Sequence, residues 1–195
     1  MIGAVILAAG QSRRMGSQKL LLPFAGQTVI GHIVCQVLTA RIERTVVVTA
    51  SDGDAIRLAL TGKPVTFVVN PDPAAEMLGS VRCGLRALPP ECTATIVVLG
   101  DQPTIRTELI ADLARSFHST RARIVVPTFQ GRRGHPLLIS ADYFAEVFTQ
   151  HDGVGLRGLL QAHPSDIVEL EVADAAVLND MDSPEDYTHA RSRYI

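Results

Sequence analysis

An excess of charge of either sign is missing from this 195-residue chain: 18 Lys and Arg against 20 Asp and Glu leave a formal net charge of −2. No overall field is present that would gather nucleic acid or an anionic membrane surface, so neither is expected as a partner. Cysteine is scarce and unpaired in number, with only Cys35, Cys83 and Cys92 and no CxxC or Cys/His metal spacing. That pattern argues against a disulfide scaffold and structural zinc, and it fits a reducing, cytoplasmic location. Long apolar runs are absent too, since none approaches the roughly 18 to 20 residues that span a bilayer. The first run, residues 4–9, is short and lacks a basic leader, so it reads as a buried strand rather than a signal peptide. Repeats, linkers and low-complexity tracts are also lacking. With 47% hydrophobic residues, the chain is expected to build one domain over residues 1–195 around a two-sided core.

What is present is alternation. Short apolar runs at residues 5–7, 46–48, 65–69, 96–99 and 124–126 read as strands. Between them, Ile30, Ile33, Val34, Val37 and Leu38 share one helical face, as do Leu78, Val81, Leu85 and Leu88, and then Ile110, Leu113, Ala114 and Phe117. Strand and helix in turn predict an α/β fold, a three-layer α/β/α Rossmann-like arrangement with a mostly parallel central sheet. After Pro127 the punctuation by Gly131, Gly134 and Pro136 suggests a strand pair ending at residues 137–139 instead of another crossover. A helix over 155–162, a strand over 167–170 and a final helix from Pro184 complete the reading. Ligands of such sheets gather outside the carboxyl ends of the strands, which directs attention to segments 10–19, 70–76, 100–103 and 179–183.

The first of these, LAAGQSRRMGSQK, combines Gly10 and Gly16 with Ala8 and Ala9 and with the cations Arg13, Arg14 and Lys19. Small residues let backbone N–H groups approach an oxyanion, and the cations neutralise it, so polyphosphate is the guest the composition suits. A solubilised surface turn remains the alternative on composition alone. Neither the Walker A nor the GxGxxG spacing is present. In its order, LAAGQSRRMGSQKLLLPFAGQTVI resembles the signature of the MobA-like nucleotidyltransferase superfamily, and its LAAG and LLP features are closer to the molybdenum cofactor cytidylyltransferase branch than to the guanylyltransferase branch. The resemblance extends over nearly the whole chain and implies the nucleotidyltransferase version of the fold. It also implies that the backbone of Leu7, Ala8, Ala9 and Gly10 lies beside base and ribose, that Arg14 pairs with the β- and γ-phosphates, and that Lys19 reaches the phosphate under attack. Arg13 falls at a variable position and is left out of the catalytic set.

Asp101 follows the apolar run 96–99 in Gly100-Asp101-Gln102-Pro103, and Asp180 and Asp182 precede the last helix in DMDSPEDY. From the residues alone these acids read more readily as turn or cap groups than as metal ligands. Carboxylates brought from distant positions would suit Mg²⁺, a hard cation that takes oxygen ligands and usually shares its shell with phosphates and water. The resemblance favours metal: GDQP is similar to the family's first metal motif and DMDSPEDY to its DIDTPEDY segment. Asp101 and Asp182 are therefore the expected ligands, Asp101 with a catalytic role, and Asp180 lies on the same side as Asp182.

Segment 131–136 places Arg132, Arg133 and His135 on one loop, either a solvent-exposed hairpin tip or a binding element. It resembles the family's GxxGHP segment on the acceptor side, which implies an anionic acceptor near Gly134 and His135. Segment 76–85 resembles GMSxSLRAGL, with Ser80 and Arg82 as the implied nucleotide contacts, but Glu76 stands where relatives carry glycine. Asp152-Gly153-Val154-Gly155-Leu156-Arg157 is similar to a GDxGAR run with the acid transposed, leaving Arg157 as the implied acceptor contact. Cys83 reads as packing. Together these features imply Mg²⁺-dependent transfer of a nucleoside monophosphate, with CTP and a molybdopterin-type acceptor as the leading pair. Sugar-phosphate and methylerythritol-phosphate acceptors, a non-catalytic cofactor-binding or chaperone module for a molybdoenzyme, and a recruited redox enzyme are the competing readings.

Overall fold

The computed structural model describes residues 1–10, 18–72 and 76–194. In chain order the elements are β1 (Ile2–Ala8), β2 (Pro23–Phe24), β3 (Gln27–Thr28), α1 (Val29–Thr39), β4 (Arg44–Thr49), α2 (Asp54–Ala59), β5 (Thr66–Val69) and α3 (Met77–Ala87). Then follow β6 (Ala94–Leu99), α4 (Thr107–Ser119), β7 (Ile124–Phe129), β8 (Arg132–Arg133), β9 (Leu137–Ser140), α5 (Phe144–Thr149), α6 (Leu156–Ala162), β10 (Ile167–Glu171) and α7 (Pro184–Ser192). The main sheet runs β10-β7-β9-β6-β1-β4-β5, with β8 added on β7. β1 lies at its centre, parallel to β4 and β6 on either side, while β9 is antiparallel to both β6 and β7. The expected α/β architecture with a mostly parallel central sheet is therefore present.

A central strand covered on both faces must be apolar throughout, and the alternation of its side chains decides which core each residue joins. Ile2, Ala4, Ile6 and Ala8 of β1 face one cluster with Ile30, Ile33 and Val37 of α1 and Ile110 and Leu113 of α4. Val5 faces the other, with Leu78, Val81 and Leu85 of α3 and Leu156, Leu159 and Leu160 of α6. The buried helical stripes read from the sequence are thus the two covers of one sheet.

The irregularity after Pro127 is a hairpin. Gln130 (φ 51°) and Gly131 (φ 73°) turn β7 into β8, and β9 then returns antiparallel beside β7. Three short elements carried no periodicity long enough to read: α2, α5 and the β2–β3 ribbon, whose tight turn uses positive φ at Ala25 and Gly26.

Candidate active site

The carboxyl ends of β1 and β6 meet at the top of the sheet, with Leu7 opposite Leu99. The Gly100 N–H donates to the Leu7 carbonyl at 2.9 Å. A Cβ at Gly100 would stand 2.5 Å from that same oxygen, so only glycine lets the two strand ends close this tightly. The next residue, Asp101, lines one cavity with Ala9 and Gly10. Lys19 opens a short 3₁₀ turn whose Leu20 is buried in the core. Its ammonium donates to Asp101 Oδ2 at 2.7 Å and to Asp182 Oδ1 at 2.9 Å. One cation thus joins two acids that the sequence separates widely. Beside them opens a cavity of about 230 Å³, lined by Leu7, Ala9, Gly10, Lys19, Ser80 and Asp101 among others.

Segment 179–183 reaches this place by backbone and cap chemistry. The Met181 N–H donates to the Asp101 carbonyl at 2.9 Å, and the Met181 side chain is buried. Ser183 caps α7 in a reciprocal box with Asp186, and Pro184 occupies the first turn. Asp186 Oδ2 also accepts from the Asp182 N–H at 3.1 Å. Capping is accordingly the work of Ser183 and Asp186, and the Asp182 carboxylate points to Lys19 instead.

Electrostatics separates the members of this cluster. Burial acts to lower the Lys19 pKa, but the hydrogen bonds and charges of Asp101 and Asp182 outweigh it and hold the ammonium above its ordinary value. Burial raises the Asp180 carboxyl, and the neighbouring charges of Asp101 and Asp182 push it the same way against a hydrogen bond from Gln102. The carboxylates therefore repel one another, which is the field a hard divalent cation relieves. The donor set fits such an ion: two carboxylates without a complete protein cage suit a metal that shares its shell with phosphate oxygens and water. No trio of His, Cys, Asp or Glu side chains is gathered for metal among the described residues.

The residues expected on the acceptor side divide. Gly134 and His135 are drawn to the same end, because the His135 N–H donates to the Val177 carbonyl at 2.9 Å and a Cβ on Gly134 would lie 2.2 Å from that oxygen. Burial lowers the His135 pKa, and the nearby Asp101 charge opposes it. Arg133 turns away to pair with Glu169 at 2.8 Å, and Arg157 is exposed on the first turn of α6. Glu76 is exposed at the start of α3.

Among the expected nucleotide contacts, Ser80 lines the cavity and accepts from the buried Asn70 amide at 3.0 Å. Arg82 departs from expectation, since its guanidinium donates to the carbonyls of Val147 (2.7 Å) and Gln150 (2.8 Å) and to Asp152 (2.6 Å). It ties α3 to the end of α5. Arg14, with Arg13, lies outside the described residues. Sequence reasoning passed over Gln102, which is 2% exposed and donates to Asp180 Oδ1 at 2.8 Å.

Comparison with known proteins shows that this protein is a nucleotidyltransferase. The chain belongs to the MobA-like NTP transferase domain family, whose model matches residues 4–167. It is 30% identical over 196 aligned residues to the molybdenum cofactor cytidylyltransferase of Escherichia coli, covering 99% of this chain and 97% of that protein. The crystal structure of Rv0371c from Mycobacterium tuberculosis superposes with a TM-score of 0.87 at 27% identity, over 98% of this chain and 97% of that one. A manganese complex of Rv0371c superposes with a TM-score of 0.82 at 28% identity, over 98% of each chain. No helix among the described residues is long and apolar enough to cross a membrane.

Proposed function

We propose that this chain transfers CMP from CTP to a phosphate-bearing acceptor of the molybdopterin type, releasing pyrophosphate, in the cytoplasm and with Mg²⁺ as cofactor. The observation that carries this reading is the Lys19 bridge between Asp101 and Asp182 at the open end of β1 and β6. The near full-length similarity to a molybdenum cofactor cytidylyltransferase supports the choice of base and acceptor, and the manganese complex of a relative supports a divalent ion.

In this reading Asp101 and Asp182 hold Mg²⁺, which when bound supplies charge stabilisation on phosphate oxygens. The backbone of Leu7, Ala8, Ala9 and Gly10 and the Ser80 hydroxyl position the nucleoside in the cavity. Arg14 binds the β- and γ-phosphates, and Lys19 holds its ammonium against the α-phosphate, where negative charge builds during transfer. Gly134, His135 and Arg157 orient the acceptor so that its phosphate oxygen attacks the α-phosphorus while the bond to the β-phosphate breaks. A phosphate nucleophile is already ionised near neutral pH, so positioning and charge compensation suffice without a protein base.

The test is pyrophosphate release with each of CTP, GTP, ATP and UTP against molybdopterin, sugar phosphates and methylerythritol phosphate, with and without Mg²⁺. Release with CTP and molybdopterin, dependent on Mg²⁺, is the expected outcome. Release with another pair would correct the substrates, and release with none would overturn the proposal.

A further inference from the structure

Among the described residues, the Gln102 side chain joins the GDQP segment to the DMDSP segment by a hydrogen bond. It is 2% exposed, and its Nε2 donates to Asp180 Oδ1 at 2.8 Å and reaches the Val177 carbonyl at 3.5 Å. The Val177 oxygen is also the acceptor for the His135 N–H at 2.9 Å. Three motifs of the cleft therefore converge on one amide and one carbonyl. Gln102 Oε1 is buried and has no hydrogen-bond partner among the described residues, an arrangement that costs stability. Turning the amide to satisfy Oε1 would direct that oxygen at Asp180 and lose the bond from Nε2.

We infer that Gln102 is a positioning residue for the metal site: by pinning Asp180 and the Val177 carbonyl, it sets the approach of Asp182 to Asp101 and hence the geometry into which a divalent cation fits. This rests on the proposed roles of Asp101 and Asp182. Gln102 touches neither nucleotide nor metal and acts through the segment it holds. Asp180 becomes the handle of that segment, held through its Oδ1 by the Gln102 amide.

The test uses Gln102→Met, which keeps the length of the side chain and removes its donors, together with Asp180→Asn and the double variant. Mn²⁺ is titrated into each full-length protein alone, with the free ion followed by its paramagnetic resonance signal, and thermal unfolding confirms the fold. Removing a group that orients metal ligands weakens metal binding by roughly 10- to 100-fold, so Gln102→Met is expected to raise the Mn²⁺ dissociation constant by at least about tenfold. Binding of a fluorescent CTP analogue without metal should change less than about twofold, a split that a general loss of structure would not produce. The double variant should bind Mn²⁺ no more weakly than the worse single variant, because both act through one contact. Unchanged Mn²⁺ binding in folded Gln102→Met, equal losses of metal and nucleotide binding, additive losses, or no Mn²⁺ binding by the unaltered protein would each overturn the inference. If Gln102→Met fails to fold, Gln102→Glu supplies the same readout, its added carboxylate repelling Asp180 where the amide held it. Absence of pyrophosphate release alongside intact Mn²⁺ binding would instead strike the transferase substrates and leave the positioning role standing.

Discussion

Replacing Lys19 by methionine would leave two carboxylates facing a point from which their shared cation has gone. The lysine side chain is 11% exposed, Asp101 26% and Asp182 49%, with the ammonium 2.7 and 2.9 Å from the two acids. Breaking a buried pair costs about 3 to 5 kcal/mol, whereas an exposed pair contributes about 0 to 1 kcal/mol. Half-exposed Asp182 is screened and lies near the lower limit, so the structure supports a loss of about 2 kcal/mol, dominated by Asp101. For a chain of this length that corresponds to a melting temperature lower by about 4 to 8 °C.

The Lys19 pKa is raised, so its stabilisation is complete below the ordinary value of 10.5 and is lost only as pH rises through the higher folded value. The experiment can therefore be run near pH 7.5, by calorimetry at low salt without divalent ion and again with millimolar Mg²⁺. Mg²⁺ should recover part of the lost stability, because a divalent ion binds the folded carboxylates in place of the ammonium. Turnover should fall by about 100- to 1,000-fold, the usual effect of removing one donor aimed at developing charge. An unchanged melting temperature together with turnover within about threefold of the original would refute the reasoning.

Three further outcomes follow from the geometry. Gly134→Ala should destabilise the protein by about 1 to 3 kcal/mol, as overpacking does, because its Cβ would meet the Val177 carbonyl at 2.2 Å; a melting temperature equal to that of the parent would contradict this. Arg82→Ala should lower stability by about 2 kcal/mol through loss of charged hydrogen bonds while leaving the KM for nucleotide nearly unchanged. A large rise in KM without loss of stability would return Arg82 to the nucleotide. Tyr143, buried and donating to Asp166, has its hydroxyl pushed up to about 12, so it should ionise late and its stabilisation should persist until pH rises through that value. Absorbance titration of the parent and Tyr143→Phe checks this, and loss of a component near pH 10 in the variant would contradict it.

Much of the frame is legible in the chain because β1, β4 and β6 are doubly covered strands and their unbroken apolar runs leave few alternatives. The buried stripe of α3, including Leu78, Val81 and Leu85, is equally plain. Helix α5 is only six residues long, too short for periodicity to declare itself, and its absence from the reading has a consequence at Arg82. Without the carbonyls of Val147 and Gln150 in view, a guanidinium on the helix near the cavity looks like a nucleotide contact. Resemblance to a motif carries a residue type, not the direction of its side chain. Asp101 and Asp182 could be singled out because each sits at a strand end or a helix start, but only the resemblance favoured metal over a turn or cap role for them. Gln102 could not, since its importance comes from a partner 78 positions away and from burial that no local pattern reports.

The acids bridged by Lys19 are proposed to support metal-dependent nucleotidyl transfer. Pyrophosphate release with CTP and molybdopterin, measured against Mg²⁺ concentration for the unaltered chain and for folded Asp101→Ala, tests that directly. The unaltered chain should show saturable Mg²⁺-dependent release and Asp101→Ala essentially none at any Mg²⁺ concentration. Equal release by the two proteins would contradict the assignment of Asp101 and the site built around it.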